Sequence, residues 1–221
     1  GLCEADPGFW EQAENGMLRM VATAYGALDR RDDELEVLRR LVARLQKESG
    51  GREGDTAVNQ ARSYLGAWLF QRRRFEEAIP IFEAVLGELE RTLGRESLET
   101  IRTMGNLGMC HLQAGHFEAA VPLLEVVVSQ RAKDPQGLAV TGSLAMALHE
   151  TGQPAKAAAV LRETLEEVRA VLPPGHPALG DHLSQLGFAL LALEDFAGAD
   201  AALTQCLAIR EKLDPEAWSL F

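Results

Sequence analysis

The sequence predicts an all-α chain built as a series of stacked antiparallel helical hairpins, and three observations predict it. One frame of residues recurs five times along the chain. Within each copy apolar residues return at intervals of three and four, the helical period. Short polar or glycine-containing turns divide each copy, and turns that short force antiparallel neighbours. No window shows the sustained alternation of a half-buried strand.

The frame is plainest in the third copy. Leu107-Gly108 is followed by His111, Gly115, Phe117, Ala120 and Leu124. It stands 42 residues earlier as Leu65-Gly66, Leu69, Arg73, Phe75, Ala78 and Phe82. It returns 37 residues later as Leu144-Ala145, Leu148, Gly152, Pro154, Ala157 and Leu161. After a further 42 come Leu186-Gly187, Leu190, Glu194, Phe196, Ala199 and Leu203. A degenerate copy leads the chain: Val21-Ala22, Tyr25, Asp29, Arg31, Glu34 and Leu38. The small residue after each Leu lets a neighbouring helix come close, although each Gly there costs ~1 kcal/mol of helix propensity. A second small residue, Ala78, Ala120, Ala157 or Ala199, is expected at the facing spot of the second helix.

In order, the frame predicts helices over 8–28 and 33–48, 56–72 and 75–93, 98–114 and 117–131, 137–151 and 154–171, and 177–193 and 196–212. Asp6-Pro7 and Asp214-Pro215 read as an N-cap followed by proline at the first helical position. Gly50-Gly51, Asp134-Pro135 and Pro173-Pro174-Gly175 punctuate the joins between hairpins. Pro80 and Pro122 fall about one turn into second helices, where a slight bend is expected rather than a break. The hairpins thus cover about 8–50, 55–93, 97–132, 136–172 and 177–213 of one array over 1–221, and 214–221 reads as the start of a further helix.

Bulk composition excludes several classes. Of 221 residues 47% are hydrophobic, enough to bury a core and too many for a disordered chain. The net charge is −11, so the basic footprint of a nucleic-acid binder is missing. The second half is the more acidic, with 7 basic and 14 acidic residues in 111–221, and a basic partner would be steered there. Cys3, Cys110 and Cys206 are odd in number and scattered, which reads as a reducing, cytoplasmic setting rather than a disulfide framework. No apolar run reaches the ~18 residues that span a bilayer, and no secretory leader is visible. The chain starts without Met and ends on an apolar Trp218-Ser-Leu-Phe221, as a piece of a longer polypeptide would.

The repeat resembles the tetratricopeptide repeat, in the long form of about 42 residues found in kinesin light chains and many bacterial signalling proteins. Thr100 to Gly108 resembles that family's TLxxxxNLA opening of a first helix. Phe75 to Phe82 and Phe117 to Leu124 resemble its second helix. Leu93-Gly-Arg and Pro174-Gly-His-Pro177 resemble its LGpdHP joint. The resemblance covers about 15–213 and implies a right-handed α-solenoid. Two departures stand out: Glu34 replaces the small residue of the first hairpin, and Pro154 replaces an aromatic. Glu34 argues against the same close crossing there. The tail from Leu203 to Phe221 also resembles the last repeats of bacterial serine/threonine kinases with C-terminal arrays. This chain carries no Gly-rich phosphate loop, HRD or DFG element of its own.

Chemistry-bearing constellations are weak. Cys110-His111, His116, His149, His176 and His182 show no metal-ligand spacing, so no metal or cofactor is expected. No GxSxG elbow or assignable triad marks a catalytic centre, so the chain is not read as an enzyme. The run Arg72-Arg-Arg74 reads as a solvated turn beside Glu76 and Glu77, with a phosphate or acidic-peptide contact as the alternative.

What the resemblance implies is a binding groove lined by the first helix of each hairpin. The positions it implies are Gln60, Ser63, Phe70, Gln71, Arg102, Met109, Leu112, Gln113, Met146, His149, Glu150, Asp181, Ser184, Phe188 and Leu191. Phe70, Met109, Leu112, Met146, Phe188 and Leu191 would form an apolar stripe, of the kind that marks partner surfaces. The competing reading packs several of them between adjacent first helices. The groove carries no Lys, so the carboxylate clamp of chaperone-binding members is not seen. The expected role is a non-catalytic scaffold for a protein or peptide, with no nucleic-acid or membrane partner. The alternative is a spacer that self-associates through its ends.

Overall fold

The computed structural model describes residues 15–50, 52, 54–130 and 140–213. Ten α-helices and no strand occur among the described residues. They are α1 (Asn15–Ala27), α2 (Arg31–Glu48), α3 (Thr56–Gln71), α4 (Phe75–Leu93), α5 (Leu98–Ala114), α6 (Phe117–Ser129), α7 (Thr141–Glu150), α8 (Pro154–Val171), α9 (Pro177–Leu191) and α10 (Phe196–Leu213). The bounds of α4, α5 and α8 are those the sequence frame predicts, and the other ends that fall within the described residues differ by no more than two residues, while the starts expected at 8 and 137 lie outside the described residues. The caps expected at Asp6-Pro7 and Asp214-Pro215, the join expected at Asp134-Pro135, the helix expected from 214, Cys3 and Gly51 lie outside the described residues.

Local chemistry sets the boundaries. Asp55 caps α3 by accepting from the amides of Ala57 and Val58, and Ser97 caps α5 by accepting from Thr100. Pro154 and Pro177 open α8 and α9, where a missing N–H costs nothing. Pro80 and Pro122 sit inside α4 and α6, which run on through them without a break. Each hairpin turns at the same frame position with a left-handed residue: Asp29, Arg73, Gly115, Gly152 and Glu194, with φ of 55, 59, 83, 72 and 58°. At each, the amide one residue on donates five residues back, as from His116 to the His111 carbonyl at 2.8 Å and from Gln153 to Leu148 at 2.7 Å. This is the Schellman closure, repeated five times.

The chain divides into two compact units, Gly1–Arg95 and Glu96–Phe221. In the first, α1 packs on α2, α2 on α3 and α3 on α4. Its core includes Leu38, Leu69, Phe82 and Val85, all essentially inaccessible. In the second, each of α5 to α10 packs on the next, and α7 also touches α5 and α9. One apolar cluster runs through it from Leu112 to Cys206, with Leu124, Leu148 and Leu161 wholly buried.

The close crossings confirm the small residues but correct their opposite number. A Cβ on Gly66 would lie 2.8 Å from the Phe82 ring, one on Gly108 2.8 Å from Leu124, and one on Gly187 2.6 Å from Leu203. The residue across from the glycine is therefore the large apolar one that closes the frame. Ala78, Ala120, Ala157 and Ala199 are buried to 1% exposure or less, four residues before it.

Candidate functional site

Met109, Met146 and Phe188 occupy one frame position, directly after Gly108, Ala145 and Gly187. On α7 and α9 that position opens outward: Met146 is 54% and Phe188 64% exposed. Between the two helices lies a cavity of about 400 Å³, lined by Gly142, Ala145, Met146, His149, Gln185, Phe188, Ala189 and Ala192. Ala145 and Ala189 are buried and floor it, while Met146 and Phe188 stand as exposed walls. A second cavity, of about 370 Å³, adjoins it through Gly142 and Gln185 and is lined also by Asp181, His182, Ser184 and Arg210. Asp181 receives Arg210 at 3.4 Å.

The remaining expected groove residues are distributed less simply. Leu112 is buried at 5% exposure within the core cluster, so it is not part of a surface stripe. Met109 is half-buried against the same cluster. Arg102, Gln113, His149 and Glu150 are exposed, and Leu191 is 41% exposed. In the first unit Phe70 is half-buried, its ring edge-on to Phe75 at 5.4 Å, and Gln71 is exposed. Ser63 is half-buried, and Gln60 lines a cavity of about 390 Å³ with Thr23, Leu41, Ala61 and Tyr64.

Tyr64 in the first unit, and His182 and Gln185 in the second, line these cavities yet were not among the expected groove positions. Gln185 and Tyr64 share the frame position of Asn106 on the first helix, so the frame itself could have pointed to them. His182 was weighed only as a metal ligand.

Of the other constellations, Cys110 and Cys206 are buried, whereas His116, His149 and His176 are exposed. Burial pushes the Cys110 thiol up to about 12, which makes it a poor nucleophile. The Nδ1 atoms of His111 and His116 approach to 3.4 Å across the third turn. No group of three or more His, Cys, Asp or Glu gathers to hold a metal ion among the described residues. The basic turn is knitted in rather than merely solvated. Arg72 reaches Glu34 at 2.9 Å and lies 3.9 Å over the Trp68 ring. Arg74 bonds Glu77 at 2.7 Å and Arg39 bonds it at 2.9 Å; the Arg74 bond leads in holding the Glu77 carboxyl below its ordinary range. No described helix is long and apolar enough to cross a membrane.

Known structures share this architecture. A kinesin-light-chain protein of Podosopora anserina with nearly identical TPR-like repeats matches with a TM-score of 0.78 and 24% identity, over 92% of this chain and 99% of that one. BtubC (BKLC) of P. vanneervenii matches at 0.73 and 18%, over 96% and 85%. MamA of Desulfovibrio magneticus RS-1 matches at 0.68 and 16%, over 90% and 97%. At these identities the likeness concerns the fold alone. No curated protein sequence matches. The family model described as tetratricopeptide repeat matches residues 57–133 and 138–212, well over half of the sequence. The chain belongs to the tetratricopeptide-repeat family, whose fold typically serves non-catalytic protein–protein interaction.

Proposed function

We propose that this chain is an interaction module that binds an extended or helical peptide segment in the α7–α9 groove of its second unit. The carrying observation is the cavity of about 400 Å³ whose alanine floor is flanked by the exposed Met146 and Phe188. Large apolar side chains held open beside a concave apolar floor suit a Leu, Phe or Met anchor. The acidic Glu150 and Asp181 nearby would act on the rate of encounter more than on affinity. As part of a larger bacterial signalling protein, such a module would recruit a partner to a catalytic domain elsewhere, a kinase being the candidate that the tail suggests.

The test is selection of a displayed random 12-residue peptide library on the whole chain, followed by titration of the synthesised binders. Met146→Asp and Phe188→Asp should each cost at least ~2 kcal/mol of binding while the melting curve is unchanged. Asp181→Asn should mainly alter association rate and its salt dependence. The reading is overturned if both groove variants bind normally and substitutions around Leu172 and Ile209, in the cavity shared by α8, α9 and α10, abolish binding instead.

Self-association has its own observation. On α10, Phe196 is 66% and Leu207 41% exposed. A light-scattering mass that rises above the monomer with concentration, and falls back in a Phe196→Asp/Leu207→Asp variant, favours that reading.

A further inference from the structure

We propose that the polar end of the α7–α9 groove receives an asparagine or glutamine side chain of the bound peptide, about three residues from the apolar anchor. The proposal rests on the groove reading above and adds the chemistry of its second contact.

Two polar atoms in the wall of the adjoining cavity are buried without a hydrogen-bond partner: His182 Nε2 and Gln185 Oε1. His182 Nδ1 lies 2.9 Å from the Ala178 carbonyl oxygen. A carbonyl can only accept, so Nδ1 carries the proton, and Nε2 of the neutral ring offers a lone pair. Gln185 lies flat on the bare backbone of α7, since a Cβ at Gly142 would collide with its amide. The two residues are three apart on α9 and so share a face. Acceptors buried without a donor cost free energy until one arrives.

Charge decides which donor fits. Asp181 already faces Arg210 at 3.4 Å, so the lining is balanced and an ammonium group gains little net attraction. A carboxylate would bring only acceptors and would leave His182 Nε2 and Gln185 Oε1 without a donor. A carboxamide has two N–H groups for His182 Nε2 and Gln185 Oε1, and its oxygen can accept from the Ser184 hydroxyl or Arg210. It also pairs with Gln185 whichever way that amide is turned.

Geometry sets the spacing. The polar cavity centres near residue 182 of α9 and the apolar one near 188. At the helical rise that separation is about 10 Å, which an extended peptide spans in about three residues.

The experiment uses binders selected from the displayed 12-residue library on the whole chain. Asn or Gln should be enriched about three positions from a Leu, Phe or Met. Replacing that residue by Met should weaken binding about tenfold, and by Lys or Glu at least as much. In Gln185→Met and His182→Phe the preference should shrink to less than about threefold, while an unchanged melting curve shows the variants folded. Anchored binders without carboxamide preference, or with a preference for Lys, overturn this inference and leave the groove reading intact. A selection that yields no binder sensitive to Phe188→Asp overturns both.

Discussion

The first hairpin and the later four meet the same steric demand with different chemistry. In the later hairpins Ala78, Ala120, Ala157 and Ala199 disappear into the crossing, at 1% exposure or less. In the first, the same frame position holds Glu34, itself buried at 5% exposure. The crossing accommodates it because Gly26, on the facing helix, has no side chain: a Cβ there would lie 3.0 Å from the Glu34 carboxylate. The charge is met by Arg72 at 2.9 Å, which joins the first hairpin to the second and stacks on Trp68. A repeat frame therefore prescribes a volume and a crossing, while the residue that fills it can change if its neighbours change with it.

That difference predicts the largest effect. Arg72→Met should leave a buried carboxylate without its counter-charge and destabilise the first unit by about 3 kcal/mol. Glu34→Ala, which restores the residue of the other hairpins, should cost less, because Arg72 is a quarter exposed and keeps its ring. The double variant should recover most of the loss from Arg72→Met, since no unpaired charge stays buried. A urea-denaturation double-mutant cycle measures the coupling. A coupling indistinguishable from zero would mean that the ion pair is a surface decoration.

A middle-sized effect tests the apolar version. Ala120→Leu should overpack the crossing of α5 and α6 and cost about 2 kcal/mol. His116→Ala, exposed on the adjoining turn, should stay within about 0.5 kcal/mol. Equal midpoints in urea for the two variants would sink the register.

The register was legible because steric requirements repeat, whereas the site depends on what happens between repeats. Met146 and Phe188 were placed in the groove by the family resemblance, and both are exposed. Leu112 shares its frame position with His149 and Leu191, yet it is buried while they are not. A long apolar side chain sinks wherever neighbouring helices offer a floor, and Leu112 joins the cluster that includes Ala120 and Leu148. Frame position cannot tell a covered site from an open one. The Glu34–Arg72 pair was equally invisible, because its partners lie 38 residues apart and neither belongs to the apolar pattern.

The smallest effect concerns the turns, where the hairpins again divide into two kinds. Gly115 and Gly152 occupy the left-handed position without a Cβ, while Asp29, Arg73 and Glu194 hold it with side chains attached. A left-handed non-glycine residue costs roughly 1–2 kcal/mol, less for Asp, whose short polar chain bonds locally. Glycine gains that strain back but adds freedom to the unfolded chain, which offsets part of it. Glu194→Gly and Arg73→Gly should therefore stabilise by about 0.5–1 kcal/mol, and Asp29→Gly by less. Gly115→Ala should destabilise by about 1 kcal/mol although nothing lies within 4 Å of its new Cβ, so the loss is conformational rather than steric. Shifts of the urea midpoint at constant slope read these changes directly. If Gly115→Ala proves neutral, or the three glycine substitutions lower the midpoint together, the shared Schellman turn is not what closes these hairpins, and the packing across each crossing must set the turn instead.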